Sequence, residues 1–216
     1  MADIHLYSLA TPNGQKVSCF LEAANIPYEA SKIDILKNDQ FTDDYIKINP
    51  NSKIPAIVDK KGPNGEEHAI MESGAILLYL AEKYDQFLPK DPVQKSQCIQ
   101  WLFFQMASVG PMFGQFGHFF KYAGEKCDHP YPTERYSNEV KRLLKVIENQ
   151  LQDNAFLLGK EACIADFAIV PWILCLDKFY NAEEQLSLNE FKKIKSYQNN
   201  FLEIPGVKKG LEVCAF

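Results

Sequence analysis

Glu72 and Ser73 stand directly before an apolar helical pattern in the stretch MESGAILLYLAEKY. Ser73 is a good N-cap, and Ile76, Leu77, Leu80 and Tyr84 give the helical period behind it. A helix start offers unpaired N–H groups and partial positive charge, which suit a carboxylate. Glu72, one residue earlier, suits an ammonium, so the pair has the chemistry to hold both ends of an α-amino acid head group. Upstream lies Lys53-Ile54-Pro55-Ala56-Ile57-Val58-Asp59, an apolar run broken by a proline. Proline cannot donate to a sheet ladder, so Pro55 belongs at the first residue of a strand or on an edge. It leaves Ile54 extended, with peptide groups facing outward to meet the backbone of a ligand. A strand, a turn and an ordinary capped helix account for the same residues without any ligand.

The elements that would position these residues follow from periodicity. Residues 3–9 read as a strand, and Pro12-Asn13-Gly14 is a turn signal leading to a helix from Gln15 to Asn25. Tyr28 to Ile35 reads as a second strand and Phe41 to Ile48 as a short helix. Residues 56–59 and 67–71 flank a turn at 61–65, and a helix runs to Tyr84. The order βαβ-α-ββα is that of the thioredoxin fold, a mixed sheet with helices on both faces. Residues 85–93 contain Pro89 and Pro92 and read as a linker. Every long segment beyond it is helical: Gln94 to Val109, then a bend or end at Gly110-Pro111, then Met112 to Ala123, Tyr131 to Leu151, Ile164 to Phe179 and Leu188 to Phe201. The expected organisation is therefore a thioredoxin-like α/β domain over residues 1–84, a linker over 85–93 and an all-α domain over 94–216.

Composition narrows the function classes. The chain has 216 residues, 46% of them hydrophobic, and a formal net charge of −5. That balance argues against nucleic acid as a partner, because no basic patch is available to neutralise phosphates. No stretch is apolar for the roughly 18 residues that a membrane span needs, and MADIHLYSL lacks the features of a signal peptide. The six cysteines include no C-x-x-C pair, and the four histidines are scattered, so neither a metal site nor a thioredoxin-type redox pair is expected. Reduced thiols of an intracellular protein are the simplest reading.

NPNSKIPAIVD and ESGAILLYLAEKY together resemble the glutathione site of the cytosolic glutathione transferases, and the two-domain plan extends the resemblance over the whole chain. In that family the proline is cis, the preceding residue pairs its backbone with the cysteinyl part of glutathione, and the acidic-Ser pair holds the γ-glutamyl end. The resemblance thus assigns Ile54, Glu72 and Ser73 to glutathione, with no metal. TPNGQK, residues 11–16, is similar to the nu class, which includes bacterial disulfide-bond reductases and is related to a yeast nitrogen regulator. That class carries Thr and Asn where others place a catalytic Ser, Cys or Tyr, which makes Thr11 and Asn13 the catalytic candidates. Their hydroxyl and amide, with the backbone of Gly14, would stabilise a thiolate rather than remove a proton.

Tyr7 is the rival and reads as a core residue or as one that stands behind the residues in contact with the ligand. By the same motif matching, Gln40 would meet the glycyl end or a second glutathione, and Arg135 a second glutathione; Lys53 is placed to pair with a glycyl carboxylate and equally reads as a solvated surface residue. Arg135 equally reads as a surface partner of Glu139. The run from Phe113 to Phe120 could line an apolar co-substrate site or be core. Asp166 is expected to be structural, with Cys163 a weak N-cap partner.

The implied function is glutathione-dependent reduction of a small disulfide, with weak peroxidase and transferase activity, by a cytoplasmic homodimer that binds one or two glutathiones or their disulfide. Trp101, Phe104 and Gln105 are candidates for the dimer interface, and burial within the monomer accounts for them as well. A transferase conjugating glutathione to electrophiles is the alternative, as is a non-enzymatic glutathione-binding or regulatory protein. The yeast regulator's Asn/Gln-rich tail has no counterpart here.

Overall fold

Strand β1, Ile4–Ser8, alternates buried Ile4, Leu6 and Ser8 with half-buried His5 and Tyr7, the period-two pattern of a sheet that is covered on one face more tightly than on the other. In the computed structural model, which describes residues 2–152 and 154–216, β1 is joined by β2 (Tyr28–Lys32), β3 (Ala56–Asp59) and β4 (His68–Met71). They form a four-stranded sheet of order β2-β1-β3-β4. β1 and β2 are parallel and are linked by helix α1, Pro12–Ala23, because a parallel pair needs a crossover. β3 is antiparallel to both β1 and β4. Helix α2, Asp43–Ile48, follows a single 3-10 turn at Asp39–Phe41, and α3 is Ser73–Tyr84.

α1 begins earlier than its turn signal implied. Pro12 is its first residue and Thr11 its N-cap, in extended backbone at φ −85°, ψ 164°. Pro at the first helical position loses only an N–H that had no partner, and its φ is already helical. Gly14 serves close approach: a Cβ there would lie 2.0 Å from the carbonyl oxygen of Leu9 and 2.4 Å from Oγ of Ser8. α3 also begins differently. Ser73 is its first helical residue, not its cap, and Glu72 is the N-cap at φ 68°, ψ 113°. The far end of α3 is tied to the sheet by Asp59, which is fully buried and accepts from Tyr79 Oη at 2.7 Å and from Lys83.

The remaining helices are α4 (Pro92–Phe104), α5 (Gly110–Gly117), α6 (Tyr131–Leu151), α7 (Ile164–Lys178), α8 (Glu183–Leu186), α9 (Lys192–Leu202) and α10 (Val207–Gly210). Asp91 caps α4, accepting from the N–H groups of Val93 and Gln94. No break occurs at Gly110-Pro111. A wide π turn at Gln105–Val109 connects α4 to α5, and Gly110 keeps helical angles of φ −57° and ψ −56°. Proline removes one helical N–H and crowds the carbonyl before it, and a wide turn just upstream accommodates both effects. Gly117 lets the Tyr180 ring approach, since a Cβ there would lie 2.1 Å from it.

α7 is buried continuously from Ile164 to Leu176. A capping box joins Cys163 and Asp166 at its start, with the structural role expected of Asp166. The Cys163 N–H donates to Asp166 Oδ2 at 2.7 Å, and the Cys163 sulfur accepts from the Asp166 N–H. A cysteine sulfur suffices here because Asp166 is anchored independently, accepting from the Leu157 N–H at 3.0 Å and Tyr197 Oη at 2.7 Å.

The chain divides into two compact units, with Leu202–Phe216 grouped with the segment up to Leu88, and Pro89–Phe201 forming the other. The C-terminal stretch therefore does not continue the helical unit as the domain expectation had it. It packs on α1: Ser18 Oγ donates to the Gly210 carbonyl at 2.7 Å, and Gln15 Nε2 to the Leu211 carbonyl at 3.1 Å. A Cβ at Gly210 would lie 2.5 Å from the Cα of Cys19.

Candidate functional site

The strand register brings the candidate segments to one end of the sheet. Tyr7 lies opposite Ala56, and Ala56 opposite Met71. The chain leaving β1 toward Thr11, the chain entering β3 through Ile54-Pro55 and the chain leaving β4 through Glu72-Ser73 are thus neighbours. β2 leaves at this end too, since Lys32 lies opposite Ser8, and it leads on to Gln40. Lys53 belongs to the segment entering β3. Arg135 lies in the other unit.

At the α1 start, Thr11 Oγ1 accepts from the Gly14 N–H at 3.4 Å. The Gly14 N–H, expected as a donor to a ligand, therefore serves the cap. The Thr11 hydroxyl proton points elsewhere, since that oxygen is the acceptor in the cap. Asn13 is half-buried in the first turn.

The Ile54–Pro55 bond is cis. Neither the N–H nor the C=O of Ile54 has a hydrogen-bond partner among the described residues, because the ladder begins only at Ala56. This backbone is held in place from behind. The Lys53 carbonyl accepts from Tyr45 Oη at 2.6 Å and from Asn49 Nδ2 at 2.6 Å, and Asn49 Oδ1 accepts from the Asn51 N–H at 2.9 Å. Asn49 is 2% exposed. The Lys53 side chain is exposed.

Glu72 is exposed and sits in the left-handed region at φ 68°, a conformation that strains a residue with a Cβ. Ser73 is 4% exposed and accepts a hydrogen bond from Lys16 Nζ at 3.1 Å. Lys16, on α1, is itself 1% exposed. Burial lowers its pKa to about 7, against a smaller opposing effect of the Glu72 carboxylate. Gln40, in the 3-10 turn, holds a buried Oε1 without a hydrogen-bond partner among the described residues.

Tyr7 is not in this group. Ser8 faces α1, as its contact with Gly14 shows, so Tyr7 faces the other way by strand alternation. Its ring stacks on His5 at 4.4 Å and meets Tyr45 edge-on at 6.3 Å. Burial raises its pKa, with Glu67 adding to the rise, the opposite of what thiol activation by a phenolate needs. Cys19 lies inside α1, fully buried, with its sulfur 3.6 Å from the Val207 carbonyl; burial pushes its thiol up.

In the helical unit, Arg135 is exposed and lines a groove of about 550 Å³ with Met112, Tyr131, Tyr136, Glu139 and Arg142. Glu139 is gripped by Arg142 through bonds of 2.8 and 2.7 Å rather than by Arg135. Phe113 and Phe116 are fully buried and belong to the core, so they do not line an open co-substrate site.

Lys16, Asn49 and Tyr45 escaped the sequence reading. Starting α1 at Pro12 would have placed Lys16 on the second turn, but a lysine is almost never fully buried, and nothing in the sequence marks this one.

Comparison with known proteins supplies an independent view. The model of the glutathione S-transferase N-terminal domain matches residues 2–82, and that of the glutathione S-transferase C-terminal domain residues 111–205. The chain is 38% identical over 209 residues to the disulfide-bond oxidoreductase YfcG of Escherichia coli, covering 96% of this chain and 94% of the relative. A glutathione transferase family member from Pseudomonas fluorescens, solved with two glutathione bound, superposes with a TM-score of 0.94 at 45% identity, covering 97% of this chain and 92% of that one. A glutathione transferase from Pseudomonas putida, with one glutathione disulfide bound per subunit, gives a TM-score of 0.94 at 46% identity over 97% and 91% of the two chains.

Proposed function

The chain belongs to the glutathione S-transferase family, and from that membership we propose that it is a nu-class, glutathione-dependent disulfide oxidoreductase working without a protein cysteine. The observation that carries this reading is the convergence at one sheet end of an unpaired Ile54 backbone, the Glu72-Ser73 start of α3 and a Thr11–Asn13 loop. In that arrangement Ile54 pairs with the cysteinyl backbone of glutathione. Ser73 donates to the γ-glutamyl carboxylate and Glu72 accepts from its ammonium. The sulfur is then directed to the Thr11 hydroxyl and the Asn13 amide at the start of α1. Gln40 and Lys53 take the glycyl end, and Arg135 a second glutathione.

The chemistry balances without an outside reductant. One glutathione thiolate attacks a sulfur of the substrate disulfide, forming a mixed disulfide and expelling a substrate thiolate. A second glutathione thiolate attacks the glutathione sulfur of that mixed disulfide. The other substrate thiolate leaves, and oxidised glutathione remains. Position and electrostatics supply the rate, since Thr11 and Asn13 stabilise an anion rather than take a proton. A cytoplasmic homodimer is part of this proposal, with the exposed Phe103 and its half-buried neighbours Trp101 and Phe104 as the contact. Gln105 is fully buried and serves its own unit instead.

The test is the steady-state reduction of a small disulfide by glutathione, run beside conjugation of a chloronitrobenzene. Thr11→Ala and Asn13→Ala are expected to lower kcat/KM for the disulfide by about ten- to a hundredfold, and Tyr7→Phe to leave it unchanged. Dominant conjugation that collapses with Tyr7→Phe would instead identify a tyrosine-type transferase. Glutathione binding without turnover of either substrate would identify a binding or regulatory protein.

A further inference from the structure

Lys16 is a buried cation at the foot of the site. It reaches from the second turn of α1 to the first residue of α3, where its Nζ donates to Ser73 Oγ at 3.1 Å. At 1% exposure it cannot touch a ligand in solvent itself. We propose that Lys16 is a positioning residue for the γ-glutamyl carboxylate of glutathione, acting through Ser73 and taking up a proton when that carboxylate binds. The inference rests on the glutathione reading above.

An ammonium that donates into a hydroxyl oxygen polarises the hydroxyl, so Ser73 meets an incoming carboxylate as a strengthened donor. The carboxylate also brings a negative charge close to Lys16 in a poorly solvated region, and an opposite charge favours the protonated amine. In the free protein burial leaves Lys16 with a pKa of about 7, so above neutrality much of it is neutral. Binding then draws a proton from solvent onto Nζ. The charged groups on the elements packed against α1 are Glu72, Glu82 and Lys83 in and before α3, and Lys208 and Lys209 on α10. The Glu72 carboxylate acts on Lys16 by its charge and opposes the effect of burial, and it is expected to share in the binding. Glu22, on α1 itself, is engaged by Lys209 at 2.9 Å.

Titration calorimetry with S-methylglutathione, whose sulfur cannot ionise, tests this at pH 8 in buffers of different ionisation enthalpy. Wild type is expected to take up a large fraction of one proton per ligand bound. Lys16→Met should bind about tenfold more weakly with that uptake abolished. Ser73→Ala, which keeps the lysine but cuts its link, should also weaken binding and reduce the uptake. Unchanged affinity or unchanged proton uptake in Lys16→Met overturns the inference while leaving the glutathione reading intact. If Lys16→Met fails to fold, full uptake retained in Ser73→Ala overturns it equally. Failure of wild type to bind S-methylglutathione sinks the glutathione reading, and this inference with it.

Discussion

The residues that matter here are set apart by what burial does to each. Cys19 is in the same helix as the thiol-binding candidates, yet burial pushes its thiol up and away from reactivity. Lys16, three residues before it, is pushed the other way, from 10.5 to about 7. That shift has a consequence for stability. The unfolded chain holds the Lys16 proton up to about pH 10.4, while the folded chain releases it near 7. Between those values the unfolded state binds more protons, so this group makes the fold more stable as pH rises. Below about pH 7 both states are protonated, and the full penalty of burying the ammonium is felt. Comparing urea midpoints of wild type and Lys16→Met without ligand, wild type should gain on the variant between pH 7 and pH 10. A difference that stays constant with pH would show that Lys16 carries no depressed pKa.

At the scale of elements, the starts of α1, α3 and α7 each use a different device. α1 uses a Thr11 cap with proline at its first position, and α3 uses Glu72 in a left-handed conformation with no side-chain cap bond. α7 uses Cys163 with Asp166. Burial pushes the Asp166 carboxyl up, against the N–H groups of Cys163 and Leu157 and the Tyr197 hydroxyl, which pull it down. Removing it would leave those donors buried without partners, at about 1–3 kcal/mol for each. Asp166→Ala should therefore lose about 3 kcal/mol or more in equilibrium urea unfolding, provided it still folds. A loss below about 1 kcal/mol would mean that water or a shifted backbone replaces the carboxylate.

The whole molecule is less divided by sequence order than its linker suggests. The chain crosses into the helical unit after Leu88 and returns at Leu202, and its last helix locks onto α1, the helix that opens the site. Gly210→Val places carbon atoms against the Cys19 backbone, where no side chain can yield. Overpacking of this kind costs about 1–3 kcal/mol, so a lowered thermal midpoint is expected, together with weaker glutathione binding if α1 shifts. A variant as stable as wild type would show that the C-terminal stretch can move away without consequence. Among the described residues no helix is long and apolar enough to cross a membrane.

The sequence by itself determined the element order, the thioredoxin-like plan followed by helices, and the apolar-proline and Glu-Ser motifs. These depend on hydrophobic period and turn chemistry, which act over a few residues. β3 and α6 were legible to the residue for that reason. The unbroken helix through Pro111 was not, because the π turn that absorbs the proline is selected by packing rather than by local propensity. Nor was the start of α1, where Pro-Asn-Gly serves equally as a turn or as a first helical turn until the Leu9 carbonyl presses on Gly14. The tertiary structure alone decided that Tyr7 faces away from α1, that Asn49 and Tyr45 brace the Lys53 carbonyl, and that a lysine lies buried under Ser73. Each of these depends on which distant segments the sheet register brings together, and register belongs to the folded whole rather than to any stretch of the chain.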